Sequence, residues 1–180
     1  YGFVTSSTLT DPANWSTTVL DDYFLGSQGK RVGSLYAGVD DFTIYTPKFK
    51  TELTYSSPDG GFERTGSFNQ SVCFPERVAK KDWFNGNPYT YYSGGDYGLA
   101  TMTNHKNPKG PKIVLLRESF SCALAPFLAL SCSELTTIDL RYYQGDLMDT
   151  IESLEPDLVI TMYAASSTGL ENMFAFNGTE

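Results

Sequence analysis

The run from Lys112 to Phe127, KIVLLRESFSCALAPF, holds the residues best suited to chemistry. An apolar strand leads straight into a serine-flanked turn and then a helix. That layout sets Ser119 at the carboxyl end of a buried strand, where open α/β sheets hold their reactive groups. A serine there is a nucleophile when backbone N–H groups of the following helix can receive an oxyanion, or it is simply a helix N-cap. Ser121, two residues on, suits the cap role. A nucleophilic serine needs a general base. The single histidine is His105, preceded by Thr103 and Asn104. His105 can act as that base only if its loop folds back toward Ser119; otherwise it is a solvated loop residue. Asn104 can donate to an oxyanion or stabilise its own turn. Arg141 follows the next apolar run and falls on the rim that carries Ser119. It can grip an acyl donor or a sugar carboxylate bidentately, or pair with Asp139 or Glu118 as structural support. Asp96, in Gly94-Gly95-Asp96-Tyr97, reads as a turn residue.

These side chains need a scaffold, and the pattern changes near Pro108. Beyond it, apolar runs at Ile113–Leu116, Leu135–Leu140 and Leu158–Met162 alternate with helical stretches. Such alternation, with strands apolar on both faces, predicts parallel pairing and right-handed crossovers. Leu124, Phe127 and Leu128 share one face of the first helix. Pro126 inside it predicts a kink or a late start. A second helix is expected over Gly145–Leu154, with Leu147, Ile151 and Leu154 inward, and a third over Gly169–Phe176. Before Pro108 the chain is turn-rich. Gly33–Gly38, Asp41–Pro47 and Glu52–Ser56 alternate like strands. The turn signal at Ser57–Gly61 predicts a hairpin between Thr51–Tyr55 and Phe62–Gly66, with one more strand over Tyr97–Asn104. Residues 1–20 are rich in Ser and Thr and read as a poorly specified leading segment. The expectation is a single domain over 1–180, α/β in class: a β-rich, loop-rich half (1–107) and a parallel α/β core (108–180).

Composition narrows the function. Hydrophobic residues make up 41% and charged residues 19%, as in a globular chain. A net charge of −8 with no basic run argues against nucleic acid or an anionic membrane surface as partner. Twelve Tyr and twelve Phe suit packed β-structure and also sugar stacking. Cys73, Cys122 and Cys132 form no Cys-x-x-Cys pair and read as buried small hydrophobes. No cluster of metal-ligating residues is evident, and neither metal nor cofactor is expected.

Glu118-Ser119-Phe120, Pro126-Phe127-Leu128, Asp139-Leu140-Arg141-Tyr142 and Pro156-Asp157-Leu158-Val159 follow one another in a set order. This ordered set resembles the C-terminal part of the SGNH-hydrolase-like polysaccharide O-acetyltransferases, the family of the alginate acetylation proteins and Asp-His-His-Trp relatives. Phe24–Gly33 and Gly94–Tyr97 look similar too, so the resemblance runs from about Asp22 onward. It implies a three-layer SGNH-like sheet, a serine nucleophile at Ser119, a polysaccharide or acetylated glycan as partner, an extracytoplasmic location, and membrane association only through a segment upstream of this sequence. Two departures matter. Glu118 stands where the family has Asp, and the family's upstream Asp-x-His segment is not in these residues. The chain therefore reads either as the C-terminal portion of a longer protein, the expectation adopted here, or as a degenerate, non-catalytic glycan-binding relative. Transfer and hydrolysis of acetyl groups both remain open.

Overall fold

A computed structural model of the chain describes residues 7–82 and 84–167. Eight strands run in chain order: β1 (Trp15–Phe24), β2 (Asp40–Pro47), β3 (Leu53–Ser57), β4 (Phe62–Gly66), β5 (Leu99–Asn104), β6 (Lys112–Arg117), β7 (Glu134–Ile138) and β8 (Leu158–Met162). The helices are α1 (Ser7–Thr10), α2 (Gly26–Val32), α3 (Ser34–Ala37), α4 (Phe68–Ser71), α5 (Ser121–Ala129) and α6 (Leu147–Leu154). β1 and β2 form an antiparallel ribbon; the other six strands form one sheet in the order β4-β3-β5-β7-β6-β8.

The continuous apolar run of β6 has a direct cause. Ile113 and Leu115 point into a core with Leu53, Tyr55, Phe68, Met102 and Ala125 of α5. Val114 and Leu116 point the other way, against Ile138 and Leu147 of α6. A strand buried on both faces must be apolar at every position. β6 pairs in parallel with β7 and β8, as the alternation of strand and helix predicts. The sheet as a whole is mixed, because β5 enters it antiparallel to β7 and carries the β3–β4 hairpin with it. The two halves expected on either side of Pro108 thus share a single sheet.

Two local expectations change. Gly33–Gly38 forms helical turns, not a strand, because Gly33 and Gly38 take φ of +88° and +71° and end α2 and α3 in turn. The leading segment is better specified than its composition suggests: residues 15–20 pair in register with 42–47. The expected hairpin is present, and α6 starts where Asp146 accepts a hydrogen bond from the Asp149 N–H. The third helix expected at 169–176 lies outside the described residues. All three cysteines are free and buried, and burial pushes the Cys122 and Cys132 thiols up to about 12. No described helix is long and apolar enough to cross a membrane.

Pro126 sits inside α5 without a late start. It has no N–H to give the carbonyl of Cys122 one turn back. The Ser93 hydroxyl fills that role, donating to the Cys122 carbonyl at 2.9 Å. Ser93 is buried and held at φ +63°, an uncommon backbone state for a non-glycine residue. The loop that begins at Ser93 is thereby fastened to the first turn of α5.

Candidate active site

β6 ends at Arg117, and the chain turns through Glu118 and Ser119 into α5. The Ser121 N–H donates to the Glu118 carbonyl and the Cys122 N–H to the Ser119 carbonyl, both at 3.1 Å, which closes the turn. The N-cap of α5 is Phe120, with no side-chain capping bond. Ser119 therefore does not cap this helix with its hydroxyl. It donates instead to Oε2 of the buried Glu118 at 3.2 Å. Ser121, expected as a cap, has a buried hydroxyl without a hydrogen-bond partner in the structure. The Tyr89 phenol lies near enough to Ser119 for the two side chains to interact. Burial raises the Tyr89 phenol, and its interaction with Ser119 offsets part of that rise.

Beneath the serine lies a charged network. Arg117, 1% exposed, donates to Asp96 Oδ1 at 2.8 Å, to the Gly95 carbonyl at 3.2 Å and to the Cys122 sulfur at 3.0 Å. Arg141 reaches the same loop, with Nη2 3.1 Å from Asp96 Oδ2, and is bound through Nε and Nη2 to the fully buried Asp139. Asp96 thus bridges two arginines from the ends of adjacent strands. Desolvation opposes the Arg117 charge, but Cys122, Asp96 and other neighbours hold it charged, above its ordinary value. For Arg141 the bonds to Asp139 come first and hold the guanidinium well above its ordinary value. Arg141 commits Nε and Nη2 to carboxylates, and its guanidinium lies 5.2 Å from the Tyr142 ring centroid. Of the two uses open to it from sequence, the pairing with Asp139 is the one the geometry displays.

Phe120 beside Ser119, Leu124 in α5, Tyr142 after β7 and Met162 at the end of β8 are large apolar side chains at least a third exposed. Met162 ends β8 directly opposite Arg117.

Asn104 and His105 lie elsewhere. β5 runs antiparallel to β7, with Leu99 opposite Ile138 and Thr103 opposite Glu134. Its last residue therefore sits at the amino end of the parallel unit, about 20 Å from Ser119 by strand length. There Asn104 donates to the carbonyls of Ala129 and Leu130, closing the far end of α5, and His105 Nε2 meets the Thr54 hydroxyl at 2.8 Å. Neither reaches Ser119. The sequence offered Glu118 only as a possible partner of Arg141 and Asp96 only as a turn residue, and it marked no role for Tyr89 or Arg117. The Gly94-Gly95 step before Asp96 is the one legible signal; Tyr89 lies in a short 3₁₀ turn, Pro88–Tyr91, thirty residues upstream of Ser119 with no local mark. Among the described residues no group of His, Cys, Asp and Glu could hold a metal ion.

Comparison with known proteins bears on the fold. No protein-family model and no curated protein matches the chain significantly. Solved structures do. Bacillus cereus PatB1 matches over 92% of this chain at TM-score 0.65 and 20% identity in a structure with a sulfonyl adduct, and over 91% at 0.65 and 21% without it. A DHHW family protein from Eubacterium siraeum matches over 91% at TM-score 0.62 and 20% identity. The match covers 51%, 53% and 52% of those chains respectively, so the present chain spans about half their length. At such identities the likeness is one of fold. The chain shares the α/β fold of PatB1 and of that DHHW family protein.

Proposed function

We propose that this chain is the serine-bearing part of an SGNH-like O-acetyltransferase, or an acetylesterase using the same chemistry, that acts on an envelope or exported polysaccharide outside the cytoplasm. The observation that carries this reading is Ser119 itself: a non-capping hydroxyl at the carboxyl end of a central parallel strand, hydrogen-bonded to a buried carboxylate. The motif resemblance and the shared fold with PatB1 and a DHHW family protein support it. In the reaction Ser119 Oγ attacks the acetyl carbonyl as its proton passes to a base, the donor's ester bond breaks and its alcohol leaves with that proton, and a sugar hydroxyl or water then attacks the acetyl-serine and releases the serine hydroxyl. Glu118 Oε2 is the nearest acceptor among the described residues. A His–Asp pair from an upstream Asp-x-His segment is the stronger base and belongs to the proposal. The Arg117–Asp96–Arg141–Asp139 network keeps the turn rigid while charge develops above it.

A non-catalytic glycan-binding module is the second reading, favoured by the placement of the lone histidine away from the serine. The test is acetyl transfer by the complete protein from an activated acetyl ester to a polysaccharide acceptor. Ser119→Ala is expected to reduce turnover by on the order of 10³-fold or more, with the fold intact by circular dichroism. Full activity in that variant would remove Ser119 from the mechanism and leave the binding module as the standing reading.

A further inference from the structure

α2 and α3 sit at the tip of the β1–β2 ribbon, between Phe24 and its strand partner Asp40. Contacts at its two ends lay the ribbon along α5 and set that tip at the serine end. At the start of β1, the Trp15 ring meets Phe127, in the last turn of α5, at 5.5 Å. At the end of β1, Phe24 meets the Tyr89 ring edge to face at 6.4 Å. Tyr89 belongs to the 3₁₀ turn Pro88–Tyr91, and the loop after that turn is fastened by Ser93 to the Cys122 carbonyl in the first turn of α5. Tyr89 also lies within interacting range of Ser119.

The two helices of the tip are held very differently. α2 is anchored: Leu25 before it is buried, and the Lys30 ammonium donates to the Gly86 carbonyl at 2.8 Å and to Asn87 Oδ1 at 3.0 Å. Asn87 is two residues, at most about 7 Å of chain, from Tyr89. α3 contains no buried residue. The N–H groups of Tyr36 and Ala37 donate to the Gly33 carbonyl and that of Gly38 to the Ser34 carbonyl, so this single turn closes on itself. Glycines at positive φ join it on both sides, and a Cβ at either Gly33 or Gly38 would meet nothing within 4 Å. Neither joint is packed, and glycine changes φ at little steric cost, as a hinge requires. Between the joints, Leu35 and Tyr36 are 105% and 89% exposed, the most exposed large apolar side chains among the described residues. Such a pair gains by moving onto apolar surface, and Phe120, beside Ser119, offers some.

We infer that α3 is a flap that closes over acetylated Ser119, laying Leu35 and Tyr36 on Phe120 and on the bound acceptor sugar. The inference rests on the reading of Ser119 as nucleophile and gives that site its control over water. When a sugar hydroxyl attacks the acetyl-serine, an ester bond forms at the sugar oxygen. The acyl bond to Ser119 Oγ breaks, and the hydroxyl proton passes to Oγ. Water undergoes the same exchange and yields acetic acid. A closed flap sheds water while the sugar stays, its ring face packed on the Tyr36 ring, so the acetyl group goes to the sugar. Opening at the two glycines then releases the product.

A removable lock tests this in the complete protein. A Cβ at Gly29 would lie 3.4 Å from that of Ala37, close to the roughly 3.5–4.5 Å that a disulfide spans. Gly29→Cys with Ala37→Cys therefore pins α3 to α2, in the open position, when oxidised and frees it when reduced. The reaction takes 4-nitrophenyl acetate as donor and cellohexaose or chitohexaose as acceptor, and the ratio of acetylated glycan to acetate is measured. Oxidation of the double variant is expected to lower that ratio at least about fivefold, and reduction to restore it. The unaltered protein, whose three cysteines are buried, should not respond to the same treatment. Leu35→Ser with Tyr36→Ser, both on the surface, is expected to lower the ratio by about fivefold in either redox state. A ratio indifferent to the lock and to the serine pair overturns the flap, as does hydrolysis without transfer in the unaltered protein. A ratio that falls on dilution together with a dimer seen by light scattering gives the apolar pair to a second copy, and overturns it too. No turnover in the unaltered protein, or full transfer by Ser119→Ala, removes the catalytic reading and the flap with it. An inactive Ser119→Ala beside a ratio indifferent to the lock removes the flap alone.

Discussion

At the carboxyl ends of β6 and β7, charge is buried: Arg117 and Asp139 are at most 1% exposed, and Asp96 stitches Arg117 to Arg141. At the amino ends of the same strands, charge stays in water, with Lys106 and Glu52 each about half exposed. Buried there are instead the neutral amide of Asn104 and the carbonyls it closes. Ionic groups are costly to bury, and an unsatisfied one costs more still. A fold that buries them at one end only has confined its electrostatic strain to the rim that holds Ser119. The other end is held by ordinary hydrogen bonds.

The contrast can be broken first at Arg117. Arg117→Ala removes a buried cation from Asp96, Gly95 and Cys122, and is expected to cost about 3 kcal/mol or more in denaturant unfolding. Lys106→Ala, which breaks the exposed pair at the other end, should leave the unfolding midpoint nearly unchanged. Similar losses from both would show that the two ends do not differ in kind.

The link between Ser93 and α5 comes next. Ser93→Ala leaves the Cys122 carbonyl without a donor and is expected to cost about 1–3 kcal/mol. Adding Pro126→Ala restores a backbone N–H one turn on, so the double variant should be more stable than Ser93→Ala alone. Strict additivity in that cycle would mean that the proline and the serine are not coupled.

Asn104 and His105 give a sharper local contrast. Asn104→Ala loses two bonds to carbonyls at the end of α5 and should destabilise by about 1–2 kcal/mol. His105→Ala, on the exposed side, should stay within about 0.5 kcal/mol and leave any acetyl transfer unchanged. A histidine variant without activity would place His105 in the chemistry after all.

A smaller effect concerns acid. Burial raises the Asp59 carboxyl, but the N–H groups of Gly98 and Leu99 and the Ser57 hydroxyl outweigh it and hold it below its ordinary value. The folded state therefore binds this proton less readily than the unfolded chain. Its contribution is present above the ordinary Asp range and is lost as pH falls through the lower folded value. Asp59→Asn should flatten the loss of stability below about pH 4, the ordinary Asp range, measured by urea unfolding as pH is lowered. An unchanged slope would show that Asp59 is not the group responsible.

What could be read from the sequence was what local periodicity controls. The apolar run of β6 and its serine turn, the β3–β4 hairpin and α6 all follow from side-chain period and short parallel crossovers. Only the tertiary structure decided which way β5 would run. By entering antiparallel to β7, it carried Asp96 to the serine end, where two arginines needed a carboxylate, and sent Asn104 and His105 to the other. No local pattern encodes that choice, because it depends on pairing between β5 and β7, more than thirty residues apart. The bond from Ser93 to Cys122 is of the same kind. Its donor and acceptor are ordinary in sequence, and a proline's missing N–H becomes a fastening point only once the two segments are packed together.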